Sequence, residues 1–235
     1  MGYIISLFIF LTIYVFLVKN IKFTSNVCLV NAIFFTLIYL PYLALVLVVY
    51  FDVGPYDWNF LNTLPTANVS PFCFFTLPAV MLLPKKIKKY FLLLYSLLTV
   101  GMFLSPTLGI IDCIIKGTKF HLHFQLNYLS HYALSLFGIY LIKSKQIQLN
   151  LKDALISCFI IIGVCFVMII LNLIFDTAFF GLSFTGKHNI YNNVLVNNPY
   201  LSALIYFTGL IFVLSSSFIL NKLLNLNPNN KTKTR

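Results

Sequence analysis

Apolar residues fall along this chain in long runs separated by short clusters of lysine, asparagine and proline, not in the two-residue alternation of a half-buried strand. Seven runs can be drawn, at about residues 3–18, 27–50, 64–83, 90–106, 124–142, 154–175 and 199–220. Each approaches the roughly 20 residues a helix needs to cross a hydrocarbon layer. Backbone amides cannot be left bare in lipid, so runs of this length predict helices, and the alternation a membrane barrel requires is missing. The expectation is an all-α, polytopic membrane helical bundle of about seven transmembrane helices. It forms a single domain over residues 1–222, with a disordered basic tail at 223–235. The first run has no basic leader and is followed by Lys19 and Lys22 instead of a small-residue cleavage site, so it reads as a retained helix.

Composition agrees with the pattern. With 60% hydrophobic residues, 9% charged and a mean hydropathy of +0.93, the chain has too little polar surface to cover a soluble globule. The net charge of +11 would suggest nucleic acid in a soluble protein. Here the basic residues sit between apolar runs, where they meet lipid headgroups and set topology, so the expected partner is membrane lipid and not nucleic acid. Thirteen of the sixteen fall in one alternate set of connections: Lys19, Lys22, Lys85, Lys86, Lys88, Lys89, Lys143, Lys145, Lys152, Lys222, Lys231, Lys233 and Arg235. Only Lys116, Lys119 and Lys187 fall in the other. Lysine stays on the cytoplasmic side, so the amino terminus is expected outside and the carboxyl terminus inside. A lysine-rich, glutamate-free composition points to an AT-rich bacterial coding sequence, and hence to a bacterial cytoplasmic membrane.

Five cysteines form no CxxC pair and four lie in apolar runs, so neither a disulfide framework nor a structural zinc site is indicated. No cofactor is implied. The chemistry-bearing residues fall near the helix ends expected outside. In the fifth run Asn127, His131, Ser135 and Gly138 form one stripe, with His131 shallowly inside the hydrocarbon region. In the third run Thr66, Ser70 and Cys73 share a face, and Pro65, Pro71 and Pro78 predict an irregular, kinked helix. In the sixth, Cys158, Cys165, Asn172 and Asp176 share another. Polar groups at membrane depth face the bundle, so these stripes are expected to converge on a pocket opening outwards. His131 has two readings, a neutral imidazole joining two helices and a general base. His121 and His123 read as solvated interface residues. Asp176 reads as an exposed helix end or as a carboxylate orienting a histidine such as His131 or His188. Thr66, Ser70 and Cys73 are the available nucleophile types, although membrane Ser and Thr often bond back to their own backbone.

The segments NTLPTANVSPF, YFLLLYSLLTVGMFLSPTLG, FQLNYLSHYALSLFGIYLIK, the late Asn172, GKHNIYNN and NNPYLSALIYFTG together resemble the YwaF-like family of bacterial multi-pass membrane proteins. The resemblance covers about residues 58–215 and is strongest at LSPTLG and LSH. The family is distantly similar to eukaryotic membrane lipid acyltransferases and to hydrolases of fatty-acid esters. It implies that His131 is the family histidine, that Pro106 and Asn172 match common family positions, and that Thr66 falls where the acyltransferases place a nucleophile. Tyr191, in GKHNIYNN, falls in a loosened form of the family's glycine-threonine-asparagine-tyrosine signature. Where bacterial members carry His and Cys after Leu-Pro, this chain has Ala67 and Val69. The implied function is a membrane-embedded lipid hydrolase or acyltransferase on an acyl-ester substrate, with His131 and Thr66 catalytic and Asn127, Ser70, Asn172, Asp176 and Tyr191 binding or orienting. The alternative is a non-enzymatic membrane protein: a small-solute permease, a lipid-binding protein or an assembly factor.

Overall fold

The computed structural model describes residues 2–20, 69–120, 122–144, 146–147, 150–175 and 199–226, with isolated positions at 37, 40–41 and 43–44. The described chain is helical, without strands. In order it forms α1 (Gly2–Asn20), α2 (Val69–Met81), α3 (Lys85–Leu97), α4 (Thr99–Ile115), α5 (Leu122–Lys143), α6 (Leu151–Phe175) and α7 (Pro199–Leu226). The described parts of six of the seven apolar runs are therefore largely helical, with residues 64–68 of the third lying outside the described residues. The second, 27–50, lies almost wholly outside the described residues. The last helix continues past 222 to Leu226.

Among the described residues, four stretches are long and apolar enough to cross a membrane: Gly2–Lys19, Lys85–Ile115, Leu151–Ile174 and Leu204–Leu223. The second of these spans 31 residues, well beyond the predicted 90–106. Lysines at its start have apolar stems that can lie along the helix, and at its far end Lys116 Nζ pairs with Asp112 at 2.8 Å. Leu98 interrupts it near the middle, closing α3 and opening α4 with φ −88° and ψ −6°. The ladder resumes at once, with Leu98 N–H donating to Leu94 O and Met102 N–H to Leu98 O.

The central helix is α5, which is not among the stretches apolar enough to cross a membrane. It packs on α1, α2, α3, α4 and α7, and its residues 132–142 are all buried. One face joins Leu134, Phe137, Tyr140 and Leu141 to a core shared with α2, α3, α6 and α7. The other joins Tyr132, Leu136 and Ile139 to Tyr3, Tyr14 and Ile110. Its polar residues are tolerated because neighbours surround it. Lipid never has to solvate them.

The perimeter is inverted relative to a soluble protein. Phe8, Phe159, Leu173 and Ile211 are each more than 60% exposed, while Ser96, Ser135, Ser157, Ser217 and Asn221 are fully buried. Apolar surface of that extent is compatible with a hydrocarbon surround.

Side-chain contacts fix which helix ends lie together. Lys143 Nζ donates to Val18 O at 2.8 Å, so α5 ends beside the end of α1. Lys89 and Asp153 form an ion pair at 3.0 Å, so α3 and α6 begin together. Asn221 on α7 reaches Ser96, and Ser217 accepts from Val100 N–H, so α7 runs antiparallel to α3 and α4. One end of the bundle thus gathers Lys19, Lys85, Lys86, Lys88, Lys89, Lys143, Lys152 and Lys222. The opposite end holds the start of α1, where Tyr3 Oη donates to Lys119 O at 3.1 Å and the Phe120 ring packs on Tyr3.

Candidate functional site

The central helix α5 carries the stripe the spacing predicts, but its members do different work. His131 is half-buried, and its Nδ1 lies 2.8 Å from Asn127 O, one turn back on the same helix. A carbonyl can only accept, so Nδ1 carries the proton and, in the neutral ring, Nε2 carries the lone pair. Nε2 has no hydrogen-bond partner among the described residues. The Asn127 carbonyl also receives Ser130 Oγ at 2.7 Å, while the Asn127 amide group stays half-buried.

Ser135, in contrast, is a cross-link between three helices. Its hydroxyl donates to Thr99 O at 2.9 Å, so Tyr14 O–H is the donor in the 2.6 Å contact with Ser135 Oγ. Gly138 lets α5 close on the α3–α4 junction: a Cβ there would overlap Thr99 Oγ1 and lie 3.1 Å from Tyr95 O. The order tyrosine, hydroxyl, carbonyl recurs twice. Tyr132 donates to Thr107, which donates to Phe103 O, and Tyr95 donates to Thr76, which donates to Phe72 O.

Depth can be compared along the antiparallel and parallel pairings. Ser135 lies level with Thr99, so His131 lies about 6 Å further from the lysine end, at a rise of 1.5 Å per residue, near residue 103 of the fourth run. Ser157 donates to Tyr90 O, which puts Asn172 level with about residue 105. Thr76 meets Tyr95, which puts Ser70 level with about residue 101. The three candidates therefore sit within about 6 Å of one another in depth. His131 stands near the middle of α5.

Ser70 and Asn172 are both buried, Ser70 beside Cys73 and Phe74, and Asn172 on the buried stripe of α6 with Ile161, Cys165 and Met168. His131 makes no hydrogen bond to either. The third run is helical from Val69 to Met81, through positions 71 and 78, while Pro65 lies outside the described residues. Pro71 falls in the first turn, where a missing N–H costs nothing. Thr66, Asp176, Tyr191, His121 and His188 lie outside the described residues, as does the His123 side chain. Among the described residues no group of three or more His, Cys, Asp or Glu comes together to hold a metal ion.

Reading the helix ends misses a second polar layer at the α3–α4 interruption. Ser96 Oγ donates to Leu93 O at 2.7 Å and accepts from Asn221 Nδ2 at 3.4 Å, and Val100 N–H donates to Ser217 Oγ at 3.0 Å. The signal was present: Ser217 and Asn221 are four apart and Ser96 and Thr99 three apart, the same spacings that marked the other stripes.

No family model, no curated protein and no solved structure matches this chain.

Proposed function

We propose that the chain is a multi-pass protein of a bacterial cytoplasmic membrane, of YwaF-like kind, and acts as a lipid hydrolase or acyltransferase with His131 as general base. Its lysine-bearing end faces the cytoplasm, both described and undescribed runs cross the bilayer to make about seven spans, and the polar groups open to the outer leaflet. The observation that carries the reading is the imidazole of His131, whose Nδ1–H is held by Asn127 O so that Nε2 presents its lone pair. In this reading Nε2 takes the hydroxyl proton of Thr66 as its oxygen attacks an acyl-ester carbonyl. The alkoxide leaving group departs with that proton, and water or a second lipid hydroxyl then takes the acyl group. Ser70 and Asn172 share His131's depth and are suited to bind ester or headgroup oxygens. Asn127, Asp176 and Tyr191 are assigned orienting roles.

The purified protein in lipid nanodiscs, given a fluorogenic long-chain acyl ester, is expected to turn over, and His131→Ala to lose at least about a hundredfold in rate, the lower range for a general base. Thr66→Ala is expected to lose the acyl-enzyme and labelling by a hydroxyl-directed probe. Turnover unchanged in His131→Ala would end the catalytic reading.

One observation favours the non-enzymatic alternative. Ser135, Thr107 and Thr76 all donate their hydroxyl protons to backbone carbonyls, as helix-joining groups do. That reading predicts that Asn127→Leu with His131→Leu lowers thermal stability and leaves the lipid profile of the cells untouched.

A further inference from the structure

The corner where α3 and α6 begin together concentrates positive charge that the described residues leave unbalanced. Lys85, Lys86, Lys88 and Lys89 stand on the first two turns of α3, and Lys152 on the first turn of α6. Lys89 Nζ donates to both oxygens of Asp153, at 3.0 and 3.2 Å, and Asn150 Nδ2 donates to the same carboxylate at 2.7 Å. Asp153 is therefore already engaged. Lys85, Lys86, Lys88 and Lys152 form no ion pair among the described residues. Lys85 lies one turn before Lys89, on the side of α3 that faces α6, and Lys152 adjoins Asp153, so the unpaired ammonium groups surround one ion pair. An apolar strip runs from the same corner down α6. Leu151, Leu155 and Phe159 follow at intervals of four, each at least half exposed. Gly163 comes next, exposed, and among the described residues nothing stands within 4 Å of where its Cβ would be. Lys152 and Gly163 are about 16 Å apart along the helix, at a rise of 1.5 Å per residue, which matches one leaflet's half of a hydrocarbon layer roughly 30 Å thick.

We infer that this corner is a binding site for an anionic phospholipid, with the phosphate against Lys85, Lys86 and Lys152 and an acyl chain along Leu151, Leu155, Phe159 and Gly163. Charge selects the lipid. A phosphoglycerol headgroup carries a phosphate and no amine, so it answers the unpaired lysines, whereas an aminated headgroup brings a further cation to a surface already in excess. Lysine suits the task because its ammonium is a mobile point charge on a stem that can lie along apolar side chains. At the opposite end Lys116 is already paired with Asp112. The site rests on the membrane placement proposed above and not on the catalytic reading, since none of its residues has a catalytic or orienting role there.

The test places the full chain in bilayers of ether-linked phosphatidylcholine with a trace of spin-labelled, ether-linked phosphatidylglycerol or phosphatidylcholine. Ether lipids cannot be hydrolysed as esters, so the result is read apart from any catalytic activity. The fraction of label immobilised by the protein is expected to favour phosphatidylglycerol about tenfold, the factor that roughly one lysine–headgroup attraction supplies. Lys85→Gln, Lys86→Gln and Lys152→Gln together leave the Lys89–Asp153 pair intact and are expected to bring the two lipids to near parity. The matching arginine triple is expected to keep the preference. So is an equal loss of charge elsewhere, Lys19→Gln, Lys119→Gln and Lys222→Gln together. Preference retained in the corner glutamine triple, or lost as fully in the control triple, would overturn the site. Release of the immobilised lipid by soluble glycerol phosphate would overturn it in favour of a free anion.

Discussion

At the scale of single residues, four hydroxyls buried between helices, those of Ser135, Thr107, Thr76 and Ser96, each serve as donor and acceptor at once. Tyr14 to Ser135 to Thr99 O is the longest-range case, joining α1, α5 and α4. Ser135→Ala is expected to leave the Tyr14 hydroxyl without its acceptor and to cost about 1–2 kcal/mol, in the range of interhelical bonds in membranes. Tyr14→Phe added to it should cost almost nothing more, because the orphaned donor is gone. A double-mutant cycle by thermal unfolding in detergent measures that coupling, and simple additivity would contradict the chain. The stripe at Asn127, His131, Ser135 and Gly138 was legible in the sequence, since spacing by four and three places residues on one helix face whatever surrounds them. Their partners were not, because Tyr14 is 121 residues from Ser135 and no local rule connects them. His131 illustrates the limit: its face was legible, but the bond to its own helix, which fixes the tautomer, was not.

At the scale of elements, hydropathy and burial part company in α5. Lys85–Ile115 and Leu151–Ile174 announce themselves by composition and keep one face for lipid, whereas Leu122–Lys143 is the most surrounded helix and can carry Gln125, Ser130 and Ser135 inside. The interruption at Leu98 had no local signal, as neither Gly nor Pro stands at 98–100, and it is matched instead by Ser217 on a distant helix. The prolines mark the third run, yet α2 is helical over Val69–Met81, and the first turn tolerates Pro71. Close approach of α5 to the α3–α4 junction depends on Gly138. Gly138→Ala would force Thr99 and Tyr95 away and is expected to destabilise by about 1–3 kcal/mol, the usual cost of overpacking. Calorimetry of the nanodisc-embedded protein checks it, and an unchanged midpoint would mean that the helices stand further apart than described.

At the scale of the whole molecule, lysines segregate to one end and apolar side chains to the perimeter. The first was legible from counting basic residues in alternate connections, and the grouping of Lys19, Lys89, Lys143, Lys152 and Lys222 at one end of the helices agrees with that alternation. Pairing of the ends required contacts such as Lys143 with Val18 and Tyr3 with Lys119. In the proposed topology the lysine end lies in the cytoplasm, and the side of the bundle towards which His131 is displaced from Ser135 faces outside. The direct test replaces the five native cysteines and introduces a single one, as Lys86→Cys or Lys119→Cys, both at exposed positions at opposite ends. A membrane-impermeant maleimide applied to intact bacterial cells is expected to label Lys119→Cys, and to label Lys86→Cys only after permeabilisation. Labelling of Lys86→Cys in intact cells, or protection of Lys119→Cys there, would contradict the account.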